Sequence, residues 1–367
     1  MADQPIDADS IGTRYPARYW HLAEDGRIHC DLCPRECRLS EGQRGACFVR
    51  MRKDDRMLLT TYGLLSSACV DPIEKKPLNH FYPGTGILSV GTIGCNLNCA
   101  FCQNAGISKP RNMEPLQSQA APETIARAAR ELRCKSVAFT YNDPVIFAEY
   151  AMDIADACHA LDIKTVAVTA GYIQPAARRD LFSRIDAANV DLKSFSDEFY
   201  FKLTGGRLQP VLDSLVWLKH ETGVWLEITT LLIPGLNDSD AELKALTGWI
   251  LHELGQDTPI HFSAFTPHHR LTSIPATPPA TLVRARNIAR EAGLHYVYTG
   301  NVHYIEGDTT FCPSCHSPLI VRNWFQINEY RLSPTGTCPD CGQKIAGRFD
   351  ATPGDFGNKR IPLRFTP

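Results

Sequence analysis

A chain of 367 residues is long enough to bury one large core and carry small modules beside it, since single cores stop growing near roughly 250 residues. Its 38 lysines and arginines against 40 aspartates and glutamates leave a formal charge of −2, which removes any global electrostatic reason to expect nucleic acid or an anionic membrane as partner. No apolar run approaches the roughly 20 residues of a membrane-spanning helix, and residues 1–10 lack the basic and apolar regions of a signal peptide, so a cytoplasmic protein is expected. Most of the 14 cysteines fall in C-x2-C or C-x3-C pairs, which in a reducing compartment read as metal ligands rather than disulfides.

Residues 1–27 are polar, with Tyr15, Tyr19 and Trp20 available to pack against later elements, and carry no assigned function. Cys30, Cys33 and Cys37 follow, with Cys47 after a glycine-containing turn. Four such thiols make a knot that zinc or a second iron–sulfur cluster would tie, and four ligands leave no open coordination position. The β-prone residues 57–62 after the turn-like 53–56 predict a hairpin. Residues 71–80 bring Lys75, Lys76 and His80 close to the first core strand; these could face a substrate, but such a charge run reads first as a surface connector. Cys69 stands alone and is expected to be buried.

From residue 86 a strand–helix alternation sets in. Strands are predicted at 87–93, 136–140, 164–168, 188–192, 225–233 and 260–265, and helices at 123–132, 145–161, 175–182, 211–220, 241–254 and 279–292. Six consecutive βα units imply an α/β fold with a parallel sheet curled as an incomplete (β/α)6 barrel, whose chemistry gathers at the carboxyl ends of the strands. The expected divisions are an N-terminal segment over 1–85 with the knot and hairpin, a core barrel over 86–305, and a cysteine-rich ribbon over 306–367. Just after the first core strand, Cys95, Cys99 and Cys102 stand at C-x3-C-x2-C spacing. Three thiolates on one short loop can hold three corners of a cubane and leave one iron open to a small molecule. A structural zinc would want a fourth ligand, and the nearest downstream cysteine is Cys134.

Polar residues leaving the other strands should surround whatever that iron binds. Asn142 and Asp143 follow strand two, before Pro144; Asn-Asp-Pro is also ordinary helix-start chemistry, in which Asp143 caps the helix that follows. Asp191 and Lys193, two apart at the end of strand four, point the same way, toward a ligand or toward each other. Glu227 and Thr229 share a face of strand five. His261 on strand six is a candidate ligand contact beside the commoner reading of a hydrogen-bonded core histidine. Gly205 and Gly206 form a turn. Finally Cys312, Cys315, Cys338 and Cys341 form two C-x2-C knuckles at zinc-ribbon spacing, which a rubredoxin-like iron would share.

The three-cysteine loop, with Phe101 before its last cysteine, resembles the signature of the radical S-adenosylmethionine (SAM) enzymes. More narrowly, residues 71–78, 99–104 and 190–193, with a cysteine-rich segment at each end, resemble the radical SAM component of the AmmeMemoRadiSam system, which is similar to the pyruvate formate-lyase activating enzymes. The resemblance covers nearly the whole chain after about residue 28. It implies a [4Fe-4S] cluster on Cys95, Cys99 and Cys102 whose open iron chelates SAM. Reductive cleavage then gives a 5′-deoxyadenosyl radical that takes a hydrogen atom from a protein or small-molecule substrate. The cofactor-contact expectations are Phe101, Asn142, Asp143, Asp191, Lys193 and His261. The partner expectations are an electron donor such as flavodoxin or ferredoxin, and Memo-type and AMMECR-type proteins. Where the superfamily usually has Gly-Gly-Glu, this chain has Tyr141, Asn142 and Asp143, and Val168 and Ala170 depart from the pattern after strand three. The alternative from another class is a non-catalytic zinc-binding interaction module, with zinc at all three cysteine clusters.

Overall fold

The computed structural model describes residues 15–114, 116 and 118–365, so residues 1–10, read above for a targeting signal, lie outside the described residues. Seven strands run parallel and in chain order across the central sheet: β2 (Gly86–Gly91), β3 (Ser136–Phe139), β4 (Lys164–Thr169), β5 (Ala187–Asp191), β6 (Trp225–Leu232), β7 (Ile260–Ala264) and β8 (Val297–Gly300). β1 (Ser67–Pro72) lies antiparallel beside β2, and the short β9 (Ile361–Pro362) lies antiparallel beside β1. The pairing order therefore takes strands from all three expected divisions.

Every residue of β2 and β3 is buried, the near-continuous apolar run that a sheet covered on its faces demands. The crossovers are α1 (Pro122–Glu131), α2 (Ala148–His159), α3 (Pro175–Phe182), α4 (Gln209–Glu221), α5 (Asp240–Leu254) and α6 (Pro279–Glu291). Proline opens α1, α3 and α6, where its missing N–H costs nothing and its fixed φ starts the turn. The α1 face turned to the sheet is Ile125, Ala126 and Ala129. One apolar core runs from Ile28 and Leu32 of the knot, through Val90 and Val137, to Ile260 and Val297, and a second lies under the ribbon around Tyr296, Tyr298 and Ile320.

The predicted hairpin is Arg50–Lys53 paired with Arg56–Leu59. Its two-residue turn, Asp54 and Asp55, has both φ positive, near 52° and 55°, the twist that joins tight antiparallel strands. The ribbon is a three-stranded sheet of Thr310–Phe311, Pro318–Asn323 and Gln326–Tyr330.

Two expectations are corrected. The apolar stretch 295–298 lies outside the six strands predicted above, yet Val297–Gly300 forms a seventh parallel strand, β8, which α6 brings back alongside β7. The charge run 71–80 is only in part a surface connector: Lys75 is exposed, but Asp71, in β1, is 1% exposed, with Lys76 at 4% and His80 fully buried. Asp71 accepts from Lys76 Nζ at 2.7 Å and from the exposed Lys75 Nζ at 3.0 Å, and this pairing is what lets Asp71 and Lys76 leave water. Cys69 is buried as expected.

Candidate active site

A cavity of about 400 Å³ opens at the carboxyl ends of the parallel strands. Its lining brings together Cys95, Cys99, Cys102, Phe101, Asn142, Asp143, Asp191 and Lys193. The cavity is large enough for a nucleoside-sized ligand.

The cysteine loop is held from several sides. Asn142 spends its whole carboxamide on the strand that feeds it: Oδ1 accepts from Thr92 N–H at 3.2 Å, and Nδ2 donates to Thr92 Oγ1, to the carbonyl of Ile93 and to that of Gly94 at 3.1–3.2 Å. Asn96 anchors to the Tyr172 carbonyl at 2.8 Å, Lys109 Nζ donates to the Leu97 carbonyl at 3.0 Å, and the backbone N–H groups of Asn98 and Ala100 donate to the carbonyls of Thr204 and Leu203. Phe101 is 4% exposed and packs on Phe199. Burial pushes the Cys95 thiol up to about 12, with Asp143 and Cys99 adding to the rise, and burial raises Cys99 as well. Thiols that resist ionising alone become good ligands once a cationic metal centre supplies the compensating charge. The donor set therefore fits an iron–sulfur cluster.

Asp143 does cap the following turn, accepting from Val145 N–H at 3.1 Å, but it also accepts from Thr169 Oγ1 at 2.9 Å and from Ala170 N–H at 3.1 Å. Burial raises its pKa against those hydrogen bonds. Lys193 Nζ and Asp191 Oδ2 stand 2.8 Å apart. Burial acts to lower the Lys193 pKa, yet Asp191 and the nearby Cys99 sulfur more than offset it, and the ammonium is held charged. A charged Lys193 beside the loop suits a carboxylate ligand, and the carboxyl oxygens of Asp143 and Asp191 suit an amine or hydroxyl donor.

The register sets Asp191, Thr229 and His261 side by side on β5, β6 and β7. Thr229 lines the cavity, but His261 is not brought to it. Its Nε2 lies 2.7 Å from Glu227 Oε2, in a buried network where Glu227 also accepts the N–H groups of Asn79 and His80 and the indole N–H of Trp225. Those partners hold Glu227 ionised against its burial.

Lys75 and Lys76, read from the sequence first as a surface connector and second as groups that could face a substrate, both line the cavity. Tyr141, at φ 70°, turns its hydroxyl onto Asp71 Oδ2 at 3.1 Å, so the Asp71–Lys76 pair is tied to the strand-two loop. The closeness of the charge run to the first core strand was the signal available. Ser108, 3.0 Å from Cys102 Sγ, and Asn301 are lining residues that no motif announced.

Elsewhere, Cys312, Cys315, Cys338 and Cys341 gather their sulfurs within 4.8 Å of one another, a group able to hold a metal ion. No helix among the described residues is long and apolar enough to cross a membrane.

Residues 89–246, which span β2 to α5 and so contain the whole cysteine loop, match the model of the Radical SAM superfamily. The chain belongs to the radical SAM superfamily. Membership makes it an enzyme and implies a [4Fe-4S] cluster, SAM and a source of electrons. Among similar proteins, this radical SAM protein is 38% identical over 330 residues to an uncharacterized protein of Methanocaldococcus jannaschii, covering 90% of this chain and 98% of that one. It is 25% identical over 173 residues to a pyruvate formate-lyase-activating enzyme of Clostridium pasteurianum, covering 46% of this chain and 71% of that enzyme, a relation to the activating enzymes. Among solved structures, a radical SAM methyltransferase from Sphaerobacter thermophilus is similar at 18% identity and a TM-score of 0.48, covering 81% of this chain and 79% of that one.

Proposed function

We propose that this protein cleaves SAM reductively in the cavity at the carboxyl ends of its strands and turns the resulting radical on a C–H bond of a protein or small-molecule substrate, in the manner of an activating enzyme. The observation that carries the reading is one cavity lined at once by the three loop cysteines and by Asp143, Asp191 and Lys193. When bound, the cluster and SAM supply a single electron and a carbon-centred radical. The chain's own residues do the rest. Cys95, Cys99 and Cys102 ligate the cluster. Asn142 fixes the loop's entry, Phe101 packs behind it, Lys193 meets the SAM carboxylate, and Asp143 orients the amino group. Asp191 keeps Lys193 aimed into the cavity.

The narrower proposals follow the same likeness. The protein is the radical SAM member of an AmmeMemoRadiSam-type system, acts in the cytoplasm, draws electrons from a flavodoxin- or ferredoxin-type donor, and works with Memo-type and AMMECR-type proteins. Zinc closes its C-terminal ribbon, and the divisions 1–85, 86–305 and 306–367 are its working modules.

The deciding experiment is anaerobic reconstitution with iron and sulfide, then addition of dithionite and SAM and quantification of 5′-deoxyadenosine beside a Cys102→Ala control. Product that depends on Cys102 is expected. Absence of product, with zinc rather than iron on the Cys95 loop of native protein, sinks the proposal and favours a zinc-binding interaction module.

A further inference from the structure

The chain carries three cysteine clusters, and their sulfurs are not arranged alike. In the ribbon, Cys312 Sγ and Cys341 Sγ are 3.5 Å apart, and Cys315 Sγ and Cys338 Sγ are 3.7 Å apart. A tetrahedral zinc with bonds of about 2.3 Å sets its sulfurs about 3.8 Å from one another, so the ribbon is gathered for a single ion. Among the described residues, no three sulfurs of Cys30, Cys33, Cys37 and Cys47 lie within 4.8 Å of one another. The same is true of Cys95, Cys99 and Cys102, the loop that the superfamily assigns to a cubane. A cubane spreads its thiolates because each sits on a different iron. The N-terminal knot shares the open arrangement of the cluster loop, and the ribbon does not.

Two further features fit a cluster at the knot. Gly45 lies beside two of the four thiols: a Cβ there would stand in ordinary contact, 3.7 Å, with both Cys37 Sγ and Cys47 Sγ, so these two sulfurs flank one backbone position. The backbone N–H of Ala46 donates to Cys37 Sγ at 3.4 Å, the kind of hydrogen bond that tunes cluster sulfurs. The knot also abuts the reactive loop. Arg35, two residues after Cys33, donates Nε to the Asn96 carbonyl at 2.9 Å and Nη1 to the Gly205 carbonyl. Arg111 Nη1 reaches the Ala46 carbonyl at 2.9 Å, and the Cys47 carbonyl packs against Gly94, next to Cys95.

We propose that Cys30, Cys33, Cys37 and Cys47 hold a second [4Fe-4S] cluster, which relays electrons to the cluster on the Cys95 loop. With a cysteine on every iron it offers no open position to SAM. It takes one electron from an external flavodoxin- or ferredoxin-type donor and gives one up, with no bond made or broken. The relay role rests on the proposed function; the identity of the cluster does not.

The test is metal and sulfide analysis of a Cys95→Ala/Cys99→Ala/Cys102→Ala variant reconstituted anaerobically. About four irons and four sulfides per chain, with an electron paramagnetic resonance signal after dithionite and about one zinc, are expected. A colourless variant with zinc or no metal at the knot overturns the proposal. Should the variant fail to fold, wild-type protein decides: about eight irons and one zinc support it, and about four irons and two zincs overturn it. Neither count depends on whether SAM is cleaved, so failure here and failure of the proposed function are told apart.

Discussion

Asp143 and Asn142 stand side by side and do different work. The Asn142 amide is consumed in positioning residues 92–94, whereas Asp143 ties the strand-two loop to Thr169 and Ala170 at the end of β4. Asp143→Ala removes a cap and strands the buried Ala170 N–H, so it should destabilise the protein by about 2 kcal/mol in an anaerobic urea titration. Lys193→Met leaves the cysteines in place, so the iron content and the cluster's visible absorption should survive while SAM affinity, by calorimetry, falls at least tenfold, about 1.4 kcal/mol or more. A third prediction concerns Glu74, buried with one oxygen accepting from Gly84 N–H at 2.7 Å and the other unpartnered. Burial pushes it from 4.5 up to about 7, against the attraction of Arg322. Between those two pH values the folded protein holds a proton that the unfolded chain has released, so this contribution to stability is complete below about 4.5 and is lost as pH rises through about 7. Glu74→Gln should flatten that part of the pH–stability curve, a difference on the order of 2–3 kcal/mol between wild type and variant at pH 8 relative to pH 4.5.

At the scale of elements, Gly94 joins the knot to the cluster loop. At φ 81° it occupies the left-handed region, and a Cβ there would overlap the carbonyl oxygen of Cys47. Gly94→Ala should therefore pull the loop away from the knot and reduce iron bound on reconstitution by half or more, measured against wild type. Most elements were legible in the sequence because their signals are local. A proline-led amphipathic run gave α3 at 175–182 without error, and the C-x3-C-x2-C spacing marked the loop whose three cysteines line the cavity. What was not legible depends on distant partners. Lys76 reads as a surface charge until Asp71 is folded against it, and nothing near Asn142 in sequence shows that its amide is bound 50 residues upstream. His261 illustrates the converse: its strand position was right, but Glu227, 34 residues earlier, claims its ring.

For the whole molecule, the ribbon is more than an appendage. Arg322 donates Nη2 to the Asn79 carbonyl at 2.7 Å and Nη1 to Thr310 Oγ1 at 2.9 Å, and His80 donates Nδ1–H to the Ala346 carbonyl at 2.6 Å and pairs through Nε2 with the Tyr298 hydroxyl, so the ribbon is sewn to the stretch that delivers Lys75 and Lys76. Removing the zinc proposed for the ribbon with a chelator should lower the melting temperature while leaving the iron content unchanged, which parallel calorimetry and metal analysis would read. The chain then turns back from the ribbon to lay β9 along β1. An open parallel sheet has two rims, each a row of unpaired N–H and C=O groups ready to recruit a strand from another molecule. Ile361 and Pro362 cover the rim at β1 opposite Val70 and Cys69, and Pro362, having no N–H, offers the next strand one donor fewer. A two-residue strand adds little binding energy of its own. Its value is to make the protein a poor template for its own aggregation.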